Sequence, residues 1–170
     1  AIMEEKNASL PNRHETAVAV GTGAIIFNAL SGSRIKDTNF TWENALSFDG
    51  NTGPYVQYTY ARASSVLRRA ACPDADAAAG YVPAPDETAL VKTLLRFPAR
   101  VDAALCEYEP SIISRYVLDV CAAYNVFYHN CPILRSSGAE QAFRLRLTAA
   151  ARQIIGKSLD LLTIRRTEEI

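Results

Sequence analysis

The sequence predicts an all-α protein in which long helices, joined by short loops, form a bundle. Apolar residues recur at three- and four-residue steps over long stretches, which is the period of an amphipathic helix. Turn-forming residues separate these stretches, and long helices with short connections are typical of helical bundles. At 170 residues the chain can bury a sizeable core.

The first predicted helix covers residues 9–31, with Ser9 or Asn12 as its start signal. Gly21 and Gly23 lie inside it, and each costs about 1 kcal/mol relative to alanine. They therefore predict either close packing or a weak point in the helix. The side chains expected to face the core are Ala17, Val20, Ala24, Phe27 and Leu30.

An extended segment is predicted next, with Phe40 and Trp42 on one side of a short strand or docked arm. A second long helix then starts at Thr52, with Pro54 in its first turn, where the missing N–H costs nothing. Residues 71–87 are rich in proline, alanine and aspartate, which predicts an exposed, mobile loop.

Three more helices are predicted, over residues 86–108, 109–130 and 138–162. Pro98 lies inside the first of them and predicts a kink there. The residues expected to face the core are Leu90, Leu94, Phe97, Val101 and Leu105 in the first helix, Ile113, Tyr116, Val120, Tyr124 and Phe127 in the second, and Phe143, Leu147, Ala150, Ile154, Leu159 and Leu162 in the third.

Composition limits the possible partners. The formal net charge is zero, so no overall basic field favours a polyanion, and any such contact has to be local. The sequence shows neither a signal peptide nor an apolar run long enough to span a bilayer. We therefore expect a cytoplasmic protein with no membrane or DNA partner. Because the chain begins at Ala1 and its only methionine is Met3, we expect a piece of a longer protein.

The residue types that usually carry catalysis or bind metals form no recognisable constellation. The cysteines show no C-x-x-C spacing, and Cys106 and Cys121 fall on apolar helix positions, which predicts reduced, buried thiols. His14 and His129 have no suitably placed nucleophile. We predict neither an active site nor a metal site. The other two cysteines, Cys72 and Cys131, likewise have no partner histidine at metal-ligand spacing. The acidic pairs Glu4-Glu5 and Glu168-Glu169 are interpreted as solvated termini. Gly21-x-Gly23 lacks the other residues of a phosphate loop.

The second long helix has two distinct faces on a helical wheel. Val56, Tyr60, Ala63, Leu67 and Ala70 form a core stripe, whereas a separate face carries Tyr55, Tyr58, Arg62 and Arg69. Tyrosine rings beside guanidinium groups can stack an unpaired base and bind its phosphate. The alternative is an ordinary amphipathic helix whose tyrosines pack on a neighbour and whose arginines are solvated.

Several stretches, in order along nearly the whole chain, resemble arginyl-tRNA synthetases of class I. They are VAVGTGAIIFNALSGSRIKD (18–37), FTWENALSFDGNTGPYVQYTYAR (40–62), LLRFPARVDAALCEYEP (94–110), YVLDVCAAYNVFYHNCPIL (116–134) and RLRLTAAARQIIGKSLDLLTI (144–164). Ser33 departs from the asparagine that is usual in the family's Asn-Arg-x-x-Asp pattern.

This resemblance implies a C-terminal fragment of an arginine–tRNA ligase. Residues 46–170 would form the all-α DALR-type anticodon-binding domain, and residues 1–45 would be the tail of the catalytic domain, a linking region. The full enzyme would use ATP, magnesium and arginine to form arginyl-adenylate and charge its tRNA. The fragment would bind arginine tRNA, contact the upstream catalytic domain, hold no cofactor and be inactive alone.

The resemblance also assigns site residues. Tyr55, Tyr58 and Arg62 would face the anticodon loop, Tyr128 would be a second contact, and Ile170 would stand where relatives end in a methionine that packs on the anticodon. On physical grounds rather than by resemblance, Arg62, Arg69 and Arg144 would contact phosphates, with Arg34 and Lys36 in the linking region as weaker candidates for tRNA stem phosphates.

Two other functions remain open at this point. A tyrosine- and arginine-rich face also suits a protein interface, as in a free-standing helical interaction module. An independent hydrolase or transferase is disfavoured because no nucleophile–base pair is visible. Without an upstream domain, Phe27, Phe40 and Trp42 are predicted to expose apolar surface.

Overall fold

A computed structural model describes residues 12–37, 39–70 and 75–170, with the side chains of 75 and 76 excepted. Within these ranges the structure is helical and contains no strand, which confirms the predicted all-α class. The α-helices are α1 (Arg13–Ser31), α2 (Trp42–Ala45), α3 (Gly53–Arg68), α4 (Pro85–Leu94), α5 (Phe97–Glu107), α6 (Ser111–Asn130) and α7 (Gly138–Leu161), with a 3₁₀ helix at Ala75–Ala78. The predicted start at Ser9, Cys72 and the pair Glu4-Glu5 lie outside the described residues.

Helix α6 is the centre of the bundle and packs against α1, α3, α4, α5 and α7. Its buried face includes Val120, Tyr124 and Phe127, as the apolar period predicted. Helix α3 packs between α1 and α7, and its N-terminus is capped by Thr52, whose Oγ1 accepts a hydrogen bond from the Tyr55 N–H at 3.2 Å. Of the helices described, none is long and apolar enough to cross a bilayer.

The two glycines of α1 have different environments. A Cβ atom on Gly23 would lie 2.9 Å from Gln57 Oε1 of α3, so this glycine permits the close packing that was predicted. Its carbonyl oxygen would in turn be 2.6 Å from a Cβ on Gly53. Around Gly21 a Cβ would meet nothing within 4 Å. Close backbone approach therefore brings α1 and α3 together at Gly23 and Gly53.

The structure corrects the predicted kink at Pro98, because the chain breaks into two helices. Helix α4 ends at Leu94 and α5 begins at Phe97, which places Pro98 in the first turn of α5, where it needs no N–H partner. The break changes the face that α5 presents, so that Leu105, predicted to be inward, is 69% exposed.

The segment predicted as a mobile loop is partly structured and is held to α7. It contains the 3₁₀ helix, which packs on α7, and the Tyr81 ring lies 5.3 Å from that of Phe143. The Tyr81 hydroxyl donates a hydrogen bond to Glu87, which is fully buried near the start of α4. Glu87 also accepts a hydrogen bond from Arg144 Nε at 2.6 Å. This buried ion pair offsets the cost of removing the Glu87 carboxylate from water.

The segment before α3 also departs from prediction. Trp42 opens the short helix α2, capped by Thr41, instead of a strand. Phe40 and Trp42 stack edge to face with centroids 4.9 Å apart, and both are exposed, as predicted. The same prediction was wrong for Phe27, which is fully buried in the bundle core because α1 packs on α3 and α6.

Candidate nucleic-acid interface

Helix α3 places its side chains on the two faces predicted by the wheel. Val56, Tyr60 and Ala63 are buried in the core, whereas Tyr58 and Arg62 are partly exposed on the other side of the helix. Tyr58 is supported by Phe48, whose ring meets it edge to face with a centroid distance of 6.0 Å. The local turn before α3 therefore contributes to holding this tyrosine in place.

Arg62 brings α3 and the end of α6 together. Its guanidinium carbon lies 4.8 Å from the centroid of the Tyr58 ring and 5.2 Å from that of Tyr128. Cation–π contacts at such distances are worth about 0.5–1 kcal/mol each at exposed sites. The structure thus assembles two aromatic rings around one guanidinium, which we call the Arg62 cluster (Tyr58, Arg62 and Tyr128).

Asn125 of α6 links this cluster to Tyr55. Arg62 Nη1 donates a hydrogen bond to Asn125 Oδ1 at 2.6 Å, and Asn125 Nδ2 donates to the Tyr55 hydroxyl oxygen at 2.9 Å. Burial raises the pKa of Tyr55, and the hydrogen bond from Asn125 opposes this only in part. Sequence reasoning missed Asn125, although it lies three residues before Tyr128 and so shares its helix face.

A groove of about 420 Å³ lies beside the Arg62 cluster. It contains five of the residues predicted for the site: Tyr58, Arg62, Arg69, Tyr128 and Ile170. Sequence reasoning assigned none of the others to the site; they are Ala61, Ser65, Val66, Arg68, Leu134, Glu168 and Glu169. Three arginines and two glutamates therefore line one groove, which we call the arginine groove.

The chain's last residues form one wall of the arginine groove, and Glu168 and Glu169 are exposed, as predicted, but are also held by specific contacts. Glu168 accepts hydrogen bonds from the Tyr60 hydroxyl at 2.9 Å and from Arg152 Nη2 at 2.7 Å, and Glu169 pairs with Arg68 at 3.1 Å. Although burial opposes it, hydrogen bonding lowers the pKa of Glu168. These contacts hold the terminal segment against α3 and α7.

Arg34 and Lys36 lie outside the arginine groove. Arg34 Nη1 donates to the carbonyl oxygens of Glu107 at 2.8 Å and Tyr108 at 2.5 Å, at the C-terminal end of α5. Carbonyls there lack partners within their own helix, so Arg34 caps α5. Lys36 is exposed in the same segment. A phosphate contact by either residue would belong to a different surface from the Arg62 cluster.

Arg144 has a structural role that differs from its predicted phosphate contact. Its side chain is buried and pairs with Glu87 and, at 2.6 Å, with Glu140. A guanidinium that is buried and paired with two carboxylates does not line the arginine groove, and its charge is already neutralised, so Arg144 is not placed to bind a phosphate there. Its contribution is to the packing of α4 and α7.

The cysteines and histidines that the structure describes show no catalytic pattern. Cys121 is buried in the core, and burial raises the pKa of its thiol to about 12, which keeps it protonated and unreactive at neutral pH. Cys106 is exposed, which corrects the prediction that it is buried, because α5 turns this side outward. His14 and His129 are both exposed. No group of three potential metal ligands occurs in the part of the chain that the structure describes.

Comparison with known proteins connects this geometry to a family. Residues 56–170 match the DALR anticodon binding domain. The chain belongs to that family. The matched region includes the Arg62 cluster, Asn125 and every residue of the arginine groove.

The chain is also similar to curated arginine–tRNA ligases. It is 43% identical to the enzyme of Alkaliphilus metalliredigens and 41% identical to that of Clostridium botulinum, over 99% of this chain in both cases. Each match spans 30% of the relative's own length. These matches confirm the resemblance to arginyl-tRNA synthetases and show that this DALR chain corresponds to less than a third of such an enzyme.

Solved structures give the same result. The arginyl-tRNA synthetase of Thermus thermophilus superposes with a TM-score of 0.94 at 36% identity, covering 99% of this chain and 30% of that one. The enzyme of Plasmodium falciparum superposes with a TM-score of 0.84 at 22% identity, covering 94% of this chain and 29% of that one, and supports the fold alone. The family match covers 56–170, and the division at residues 45 and 46 stays a prediction.

Proposed function

We propose that this chain binds the anticodon loop of an arginine tRNA, as the tRNA-binding part of an arginine–tRNA ligase. The observation that carries the proposal is the Arg62 cluster, in which Arg62 contacts the rings of Tyr58 and Tyr128 beside an open groove. The DALR match supports a tRNA ligand, and the ligase relatives support arginine tRNA.

The chemistry of the groove suits an unpaired nucleotide. Bases of a single-stranded loop can leave their stack and lie on aromatic rings, which is worth about 1–3 kcal/mol per base. Tyr58 and Tyr128 offer such rings, and Arg62 and Arg69 offer charges for the adjoining phosphates. Ile170 adds an apolar side chain to the same groove. Ring stacking would hold the base, and the arginines would orient its backbone.

The complete ligase would use ATP, magnesium and arginine, and would charge its tRNA through arginyl-adenylate. The described residues include no set of side chains suited to a metal ion, so we assign none of these steps to them. We propose that this chain supplies recognition of the tRNA and that the upstream catalytic domain supplies the chemistry. We also propose a cytoplasmic location for the ligase.

Binding to an arginine tRNA transcript tests the proposal. The wild-type chain, Tyr58→Ala and the control Tyr108→Ala would be titrated with the native transcript and with one whose central anticodon base is replaced, at two salt concentrations. Tyr108 is a suitable control because its ring is 78% exposed at the end of α5 and does not line the arginine groove.

We expect the wild type and Tyr108→Ala to prefer the native anticodon, with binding that weakens as salt rises. Tyr58→Ala should lose about 1–3 kcal/mol of binding free energy, because one stacking ring is gone. It should also lose most of the preference, because a base that is no longer stacked is not held against the groups that hydrogen-bond its edge. Equal affinity of the wild type for both transcripts would contradict anticodon recognition. Binding to a protein that is unaffected by salt and by competing tRNA would instead favour an interaction module.

A further inference from the structure

We propose that Asn125 is a positioning residue of the anticodon site: its amide holds Arg62 and Tyr55 at the same time and so sets the groups that a nucleotide meets. This inference rests on the proposed function and adds to it a residue that determines specificity. The hydrogen bonds of this one side chain with Arg62 and Tyr55, both on α3, carry the argument.

The orientation of the Asn125 amide is determined by its partners. A guanidinium donates hydrogen bonds and cannot accept them, so the group that faces Arg62 Nη1 at 2.6 Å has to be the carbonyl oxygen Oδ1. The NH₂ group then faces the Tyr55 hydroxyl at 2.9 Å and Thr59 Oγ1 at 3.5 Å. A reversed amide would oppose NH₂ to a guanidinium and lose the shortest of these bonds.

For Arg62, the consequence is preorganisation. Asn125 restrains one end of a long side chain whose guanidinium already contacts the rings of Tyr58 and Tyr128. The rotamer freedom of Arg62 is therefore restricted before a nucleotide arrives, and less of it is lost on binding. Only one N–H group of Arg62 is used by Asn125, and a guanidinium has five.

For Tyr55, the consequence is a defined hydrogen-bond direction. Since the phenol oxygen accepts from Asn125, its O–H proton is available to be donated to another group. Burial raises the pKa of Tyr55, which keeps this proton in place at neutral pH. Tyr55 is half-buried and does not itself line the arginine groove, so a nucleotide would have to reach its hydroxyl beside Arg62. One that presents an acceptor there, such as a base carbonyl oxygen or an unprotonated ring nitrogen, would be favoured over one that presents a donor.

Two substitutions separate these effects. Asn125→Ala removes the hydrogen bonds with Arg62, Tyr55 and Thr59. Asn125→Asp keeps an acceptor for Arg62 but replaces the NH₂ donor, so that the Tyr55 hydroxyl must donate to the carboxylate and its proton turns away from the nucleotide. The control is Asn130→Ala, on the same helix. It removes a hydrogen bond that Asn130 Nδ2 donates to Asp86 Oδ2 at 2.8 Å, outside the groove.

The readout is the ratio of dissociation constants for the altered and native anticodon transcripts, measured with the whole chain. Thermal unfolding of each variant would be followed in parallel. We expect Asn125→Ala to bind the native transcript about tenfold more weakly and to show a smaller ratio, since the net loss of a charged hydrogen bond is of that size. Asn125→Asp should weaken binding to both transcripts through its charge and also show a smaller ratio. Asn130→Ala should retain the wild-type ratio.

The outcomes distinguish this inference from the proposed function. If the wild type shows no preference between the transcripts, the proposed function fails and this inference fails with it. If the wild type discriminates and both Asn125 variants keep its ratio, the inference is overturned while anticodon binding stands. If Asn125→Ala does not fold, Asn125→Asp decides, because its side chain has the same shape as asparagine. A changed ratio with unchanged thermal unfolding supports positioning over a merely structural role.

Discussion

The glycines of α1 offer a direct test of how α3, the helix that carries the Arg62 cluster, is held in place. Gly21 and Gly23 lie two residues apart in the same helix, and an alanine at either position gains about 1 kcal/mol of helix propensity. Their surroundings differ: a Cβ on Gly21 meets nothing within 4 Å, whereas one on Gly23 would lie 2.9 Å from Gln57 Oε1 and 3.0 Å from Ile164 Cγ2.

The magnitude at Gly23 depends on whether Gln57 can move. Gln57 is fully buried, and its Nε2 donates to the carbonyl oxygens of Ala19 at 3.2 Å and Arg165 at 2.8 Å. Moving it strains two buried hydrogen bonds, and overpacking a core typically costs about 1–3 kcal/mol. Against a propensity gain of about 1 kcal/mol, Gly23→Ala should therefore lower the free energy of unfolding by up to about 2 kcal/mol.

Urea unfolding followed by circular dichroism measures both effects. Gly21→Ala should raise the free energy of unfolding by about 0.5–1 kcal/mol, because only backbone entropy changes. Gly23→Ala should lower it, with an unchanged slope against denaturant. An increase in both variants would refute the reasoning, since it would mean that the α1–α3 contact relaxes without cost.

Three further predictions follow from ion pairs. Replacing Arg144 with methionine should destabilise the fold by about 3–5 kcal/mol, measured by urea unfolding, because Glu87 would be left as a buried, unpaired charge; a combined Glu87→Gln change should recover part of the loss. Glu169→Gln should strengthen RNA binding in titrations at low salt, since it removes a carboxylate that pairs with Arg68 in the groove, and unchanged affinity would contradict this. Because the folded-state pKa of Glu168 is lowered, the stability it contributes is present above its ordinary value of 4.5 and is lost as pH falls through the lowered pKa. Unfolding measured from pH 7 to pH 3 should therefore show a smaller loss of stability in Glu168→Gln than in the wild type, and an equal loss would contradict this; Asp160, whose pKa is also lowered, titrates in both.

The fold was largely predictable because it depends on local pattern. The apolar period of α6 predicted its buried face and a helix over residues 109–130, close to the observed Ser111–Asn130, since a helix that is central to a bundle shows a strong stripe. The start of α3 followed from Thr52, whose side chain caps the first turn, and from Pro54, whose missing N–H costs nothing there, and both effects are local. The break between α4 and α5 was less accessible, because a proline near the middle of an apolar pattern is compatible with a kink or with a new helix.

The candidate site was predictable in part, for a related reason. Tyr58 and Arg62 share a face of one helix, and their spacing determines that they are neighbours whatever the surroundings. Tyr128 came from the family resemblance, and its contact with Arg62 joins two segments that are far apart in sequence. Asn125 carried no signal of its own, since a polar residue on a helix face is ordinarily solvated.

The sequence by itself determined the all-α class, the positions of the long helices and the face of α3 that carries Tyr58 and Arg62, because each depends on residues within a few turns of one another. The tertiary structure alone decided how charged side chains are used. Arg144 is buried with Glu87, Arg34 caps α5, and Glu168 holds the terminal segment to α3 and α7. The physical reason is that a charged group in sequence has many possible partners, and only the packed chain selects which of them lies within hydrogen-bond distance.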